Sequence, residues 1–115
     1  MRTHGLWIDG KEATKAGAET IVRRSPATGA EIAEFVLADA EDLDRAVASG
    51  RAVFSAGSWK NKPASERGRV LQRFADLFEA ELDELAQMEA DEAGKTISAA
   101  REELSWSIEL LRYAD

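Results

Sequence analysis

From Leu43 to Tyr113 the apolar residues recur with the period of an α-helix, and that spacing constrains the fold more than any other feature. Leu43, Ala46, Val47, Gly50, Val53 and Phe54 fall three or four positions apart, which places them on one helix face. Val70, Leu71, Phe74, Leu77, Phe78, Leu82, Leu85 and Met88 repeat the pattern. Ile97, Ala100, Leu104, Ile108 and Leu111 repeat it again, with Trp106, Leu110 and Tyr113 as a second strip on the same helix. The punctuation agrees. Asp39 has the side chain of an N-cap, and Asp42 stands at the third helical position beside the positive end of the dipole. Gly57 and Gly94 are the stops, and Pro63 suits a first helical position. The stretch from Pro63 to about Ala93 is long for one helix, so a kink or break is expected near Ala80.

The front of the chain has the other period. Leu6-Trp7-Ile8 and Lys11-Glu12-Ala13 flank Asp9-Gly10, a dipeptide suited to the positive φ angles of a type I′ hairpin. Thr14 to Ala18 reads as a loop. Thr20-Ile21-Val22-Arg23 and Glu31 to Leu37 are strands joined by the turn Ser25-Pro26-Ala27-Thr28-Gly29. The fold class is therefore α+β: short N-terminal strands with a hairpin, then three or four helices. Residues 1–38 are β-rich and 39–115 helical.

Composition removes several classes of function. The 115 residues carry a net charge of −7, which disfavours nucleic acid, since phosphate binding needs clustered Lys and Arg. There is no cysteine, hence no disulfide, no thiolate metal site and no cysteine nucleophile in these residues. The lone histidine, His4, lies near the start, where chain ends are usually loose, so a catalytic triad built on it is not expected. Nowhere do about 18 apolar residues follow one another, and Met1 to Gly5 do not form a signal peptide. A cytoplasmic protein that does not enter a membrane is the expectation. Two features suggest missing surface. The apolar strips on the helices are wider than a few short strands can cover, and the chain stops directly after a helix.

Several short motifs, in order and nearly end to end, resemble the opening of aldehyde dehydrogenases. Leu6-Trp7-Ile8-Asp9-Gly10-Lys11 resembles that family's first hairpin. Ser25-Pro26-Ala27-Thr28-Gly29 is similar to its Asn-Pro-Ala-Thr-Gly turn, with Ser in place of Asn, and Glu31-Ile32-Ala33-Glu34 to the strand that follows. Asp42 to Val47, with Arg51-Ala52-Val53-Phe54 and Trp59, resembles its first helix. Pro63 to Leu71, Ala75-Asp76-Leu77 and Glu84-Leu85-Ala86 resemble the next, and Glu89 to Lys95 its Gly-Lys end. The region from Phe54 to Leu71 resembles members that act on amino-aldehydes or other small aliphatic aldehydes.

The resemblance implies a parent α/β fold with a Rossmann-type cofactor domain. It implies oxidation of an aldehyde to a carboxylic acid with NAD or NADP, through a cysteine thiohemiacetal, a hydride transfer and hydrolysis aided by a glutamate. The family's catalytic groups lie beyond the point matching Asp115. No GxGxxG fingerprint occurs among the glycines here. Residues 1–115 then correspond to the N-terminal part of the fold, without the catalytic and most of the cofactor domain. No catalytic or cofactor-binding residue is expected in them, nor activity from this chain alone. The resemblance also implies a structural Na⁺ or K⁺ ion held by the carbonyl oxygens of Arg23 and Arg24 and by the carboxylate of Glu92. Oxygen ligands suit hard cations. Glu stands where the family usually has Asp, and two arginines flank the carbonyls. The alternative is that Glu92 only ends an acidic helix face.

That face is Glu79, Glu81, Asp83, Glu84, Glu89, Asp91 and Glu92, read as solvated surface. Lys60, Lys62, Arg67, Arg69 and Arg73 are expected to match acidic helices of the same fold. Trp7, Trp59 and Trp106 are expected to be packing residues. The partners implied are the remainder of the dehydrogenase or further copies of the chain. The competing reading is a stand-alone or self-associating scaffold domain derived from the family.

Overall fold

The computed structural model describes residues 2–13 and 15–114; Thr14, which opens the predicted loop, and Asp115 lie outside the described residues. The chain divides into two units, residues 1–60 and 61–115. The spatial boundary follows Lys60, so the first helix belongs with the strands.

The first unit contains β1 (Arg2–His4), β2 (Leu6–Ile8), β3 (Lys11–Ala13), β4 (Thr20–Arg24), β5 (Glu31–Val36) and α1 (Ala40–Ala56). β2 and β3 form the expected hairpin, with Trp7 opposite Glu12. Its turn takes positive φ at both central residues, 56° at Asp9 and 73° at Gly10, as a type I′ turn requires. The hairpin tip is fastened to α1, where the Ser49 hydroxyl donates to Asp9 Oδ1 at 3.2 Å.

The sheet has the order β1-β5-β4. β4 and β5 run antiparallel, in a register that slips between Arg23 and Arg24. β1 pairs with β5 in parallel, Thr3 opposite Glu34 and His4 opposite Phe35. The expectation of a loose start is therefore corrected. Three residues too short to signal a strand by themselves become one because β5 offers an open edge. His4 stacks on Phe35, ring centroids 5.2 Å apart. Between β4 and β5, the Gly29 N–H donates to the Ser25 carbonyl and the Ser25 N–H to that of Ala30, both at 2.8 Å. Gly29 closes that turn at φ 74°.

α1 begins with a reciprocal capping box. The Asp42 N–H donates to Asp39 Oδ1 at 2.9 Å and the Asp39 N–H to Asp42 Oδ2 at 3.2 Å. This explains why Asp42 is the buried residue of α1: a carboxylate is tolerated there because it satisfies an orphan backbone donor. Gly57 ends the helix at φ 72°.

The second unit is α2 (Ala64–Ala80), α3 (Leu82–Ala93) and α4 (Ile97–Tyr113), with α4 packed against both of the others. The predicted break falls at Glu81, between α2 and α3. Pro63 sits at the N-cap rather than inside the first turn. Its carbonyl accepts from the N–H groups of Glu66 and Arg67 at 3.0 and 3.2 Å, with no side chain assisting. Gly94 takes φ 71° to stop α3, and Thr96 Oγ1 caps α4 by accepting from the Ala99 N–H.

Ala86, Ala90 and Ala100 form the centre of this unit, with Leu104 packed against them. Ala75 and Ile108 are also buried. Small residues let the helix axes approach closely, and the contact is then made by backbone and methyl groups. On α4 the two strips of the sequence separate as read: Ala100 and Ile108 turn inward, whereas Trp106 is 60% exposed, Leu110 67% and Tyr113 89%. The tryptophans correct an expectation. Trp7, Trp59 and Trp106 are all exposed among the described residues. No helix is long and apolar enough to cross a membrane among the described residues.

Candidate functional site

Arg23 and Arg24 end β4, an outer strand of the sheet, at the point where its register slips. An outer strand leaves alternate carbonyls unused by the ladder, which is the kind of oxygen a hard cation takes. The Arg24 guanidinium folds back over the turn, donating to the Gly29 carbonyl at 3.2 Å and pairing with the Glu31 carboxylate. Its charge is thereby matched within the hairpin. Glu92 lies in the last turn of α3, just before Gly94. The structure thus brings Arg23 and Arg24 together on one strand, and sets Glu92 in the other unit. Among the described residues no three His, Cys, Asp or Glu side chains group as metal ligands.

The titrating groups favour structural pairing over acid–base chemistry. Lys15 donates to Asp39, and with the Asp42 N–H this holds the Asp39 carboxyl down to about 2. The hydroxyls of Thr20 and Thr3 reach Glu34 at 2.7 and 2.8 Å and lower its pKa. Arg112 reaches Glu79 at 2.6 Å and Asp76 at 3.1 Å, which lowers Glu79 and raises Arg112. Glu103 and Glu89 raise Lys95, at 2.6 and 2.7 Å. In each case the partner stabilises the charged form. A general acid or base working near neutral pH needs the opposite, a carboxylate pushed up or an amine pushed down.

Three of these clusters were hidden from the sequence. Glu34 looked like one polar residue in an alternating strand, yet it ties β1 and β4 to the central β5. Arg112, which no sequence motif singles out, fastens α4 to α2, beside a 3.1 Å hydrogen bond from Gln72 to the Arg112 carbonyl. The signal for Lys95 was the Gly94-Lys95 pair. The left-handed glycine turns the chain so that Lys95 lies between Glu89 of α3 and Glu103 of α4. The acidic face is also corrected. Glu79, Asp83 and Glu89 receive Arg112, Arg101 and Lys95, so it is partly a charge-matched seam. Its cations come from α4 and the turn before it. Within the basic cluster, Lys62 instead pairs with neighbouring Glu66 at 3.7 Å, and the Lys60 ammonium sits 4.0 Å from the centre of the Phe54 ring.

One hollow, of about 190 Å³, is lined by Leu6, Ala13, Lys15, Glu41, Asp42 and Arg45, and another, of about 350 Å³, by Ile8, Asp9, Lys11, Glu12, Ala13, Arg45 and Ser49. In the first, Asp42 is engaged in the capping box of α1 and Lys15 pairs with its partner Asp39; in the second, Asp9 accepts from Ser49.

Comparison with known proteins supplies what the geometry does not. The chain is 39% identical over 109 residues to a mitochondrial benzaldehyde dehydrogenase of Antirrhinum majus, covering 94% of this chain and 20% of that protein. It is 39% identical over 108 residues to an aminoacetaldehyde dehydrogenase of Pseudomonas aeruginosa, covering 93% and 22%. An NAD-dependent aldehyde dehydrogenase from Sinorhizobium meliloti superposes with a TM-score of 0.90 at 37% identity, covering 96% of this chain and 22% of that one. Betaine aldehyde dehydrogenase from Staphylococcus aureus shares the fold, with a TM-score of 0.90 at 24% identity. The chain therefore spans about a fifth of the length of these relatives. The family model described as the aldehyde dehydrogenase family matches residues 13–115, and the chain belongs to that family.

Proposed function

We propose that this chain is the N-terminal part of a longer NAD(P)-dependent aldehyde dehydrogenase, one that oxidises an aldehyde to a carboxylic acid. The observation that carries the reading is the match over residues 13–115, combined with a span of about a fifth of each relative. These residues contribute support, not chemistry. They contain no cysteine for the nucleophile and no glycine-rich dinucleotide fingerprint, so no catalytic step is assigned to them.

Three finer readings belong to the same proposal. The cofactor is NAD or NADP, bound by the rest of the enzyme. The whole enzyme is a cytoplasmic homo-oligomer. A Na⁺ or K⁺ ion takes the carbonyls of Arg23 and Arg24 and the carboxylate of Glu92, as the motif resemblance implies. The aldehyde is chosen elsewhere. The relatives named for benzaldehyde and aminoacetaldehyde are equally similar to this segment.

The test has two arms. A chimaera in which this chain replaces the matching residues of the Sinorhizobium enzyme should reduce NAD with an aldehyde, whereas the 115-residue chain alone should not. Turnover by the chain alone, or a folded but inactive chimaera, overturns the reading. Replacing Glu92 by Gln in the chimaera should remove any Na⁺ or K⁺ dependence of its thermal stability. An unchanged dependence counts against the cation.

A further inference from the structure

Asp9-Gly10, the turn of the β2–β3 hairpin, is the only aspartate–glycine pair in the sequence; Asp39, Asp42, Asp44, Asp76, Asp83 and Asp91 precede Ala, Leu, Arg or Glu. The difference is chemical. A peptide nitrogen can attack the side-chain carboxyl of the aspartate before it, and a Cβ on the attacking residue obstructs the approach. Glycine has none. The turn is also open. Asp9 and Gly10 are exposed, a Cβ at Gly10 would meet no atom within 4 Å, and the hollow of about 350 Å³ lies beside Asp9. Asp42, Asp44, Asp76, Asp83 and Asp91 instead stand inside helices, whose regular backbone resists rearrangement. One contact restrains Asp9: the Ser49 hydroxyl of α1 donates to its Oδ1 at 3.2 Å.

We propose that Asp9 is a site of isoaspartate formation and that Ser49 sets its rate. The Gly10 nitrogen bonds to Cγ of Asp9, and the amide proton leaves with the carboxyl hydroxyl as water, closing a succinimide ring. Water then reopens the ring. Attack at Cγ restores aspartate. Attack at the α-carbonyl carbon leaves the main chain running through Cβ and Cγ, with a new α-carboxylate beside it. Nothing is oxidised or reduced. The chain gains one methylene within a two-residue turn, which breaks the Ile8–Lys11 register that the two positive φ angles fit. One carboxyl oxygen is lost and the other becomes a main-chain carbonyl, so Ser49 loses the acceptor that fastens the hairpin to α1. Ser49 slows the first step by tying the carboxyl to α1, which limits its approach to the Gly10 nitrogen. The partner that reads such a mark is an enzyme that esterifies isoaspartyl carboxylates with the methyl group of S-adenosylmethionine.

Ageing the 115-residue chain for weeks at body temperature and neutral pH tests this. Isoaspartate is read by methylation with a purified isoaspartyl methyltransferase and located by electron-transfer fragmentation, which separates isomers of equal mass. It should appear at residue 9 several-fold faster than at any other aspartate. Ser49→Ala should speed it several-fold in the folded chain and leave the rate in concentrated urea unchanged. Ser49→Thr, which keeps the hydroxyl, should keep the slow rate. Asp9→Glu, which needs a larger ring, should abolish methylation at the turn. A chain that ages without isoaspartate at residue 9, or forms it equally at Asp76 and Asp91, overturns the proposal. A folded-state rate indifferent to Ser49→Ala, or a Ser49→Ala effect that persists in urea, overturns the role of Ser49.

Discussion

The strand-rich unit and the helical unit are held together by different means. In residues 1–60 the long-range ties are polar: the Glu34 carboxylate reaches two flanking strands, the Asp39–Asp42 box starts α1, and Ser49 grips the hairpin tip. Leu43 and Val47 on α1 stay more than 60% exposed. In residues 61–115 the centre is a cluster of alanines with Leu104 packed against it, and ion pairs are stitched along the helix seams. Hydrogen bonds net little individually because water competes for both partners. Close-packed methyl groups cannot be rearranged without strain. The helical unit should therefore be sensitive to volume, and the strand unit to charge and hydroxyl groups.

The largest effect tests the volume side. Ala100→Leu pushes three carbons into a contact with no room and should cost about 2–3 kcal/mol in urea unfolding followed through Trp106 fluorescence. Ala52→Leu, on exposed α1, should stay within about 0.5 kcal/mol. Similar costs at the two sites would erase the contrast.

Next come the two helix stops, one in each unit. Gly57 and Gly94 share φ near 72°, where an added Cβ meets the following carbonyl. Gly57→Ala and Gly94→Ala should each cost about 1 kcal/mol. A clear difference would show that surroundings, not backbone conformation, set the penalty.

Acid provides a third comparison. Asp39 titrates near 2 when folded, below the ordinary carboxyl value of about 4. A depressed carboxyl adds stability that is fully present above the unfolded value and disappears as pH falls through the folded one. The first turn of α1 should lose that support in the acid window. Asp39→Asn keeps a capping side chain but removes the titration, so circular dichroism of this variant should change less between pH 4 and pH 2. Glu79 moves in the same direction. Lys95 and Arg112 are raised, so their share is present at neutral pH and lost only under strong alkali.

The smallest effect isolates one node. Thr3→Val and Thr20→Val each remove a hydroxyl donor to Glu34. Each should move the Glu34 pKa upward in an NMR titration, and the double variant should move it further. An unmoved Glu34 would mean that the hydroxyls are not what lowers it.

Much of this architecture is legible in the sequence. Both left-handed helix stops, the Asp39 cap, the break near Ala80, the type I′ turn and the two strips of α4 follow from local chemistry: each depends on side chains within about one helical turn or one hairpin. What escaped the reading depends on distant neighbours. β1 exists because β5, about thirty residues on, presents a free edge. Lys95 and Arg112 are ion-pair hubs only because α4 folds back on α2 and α3. For Arg23, Arg24 and Glu92, the residues named as a cation site, the sequence supplied a motif and the structure supplied their elements.

By itself, then, the sequence determined the order and ends of the helices, the hairpin turns, and membership in an aldehyde dehydrogenase-like lineage through ordered short motifs. Periodicity and capping are written in neighbouring residues and survive any arrangement of the whole. Tertiary structure decided which carboxylates meet which cations, which apolar strip of α4 is buried, and that the first residues join a sheet. Those outcomes depend on pairings between segments far apart in the chain, which no local pattern specifies.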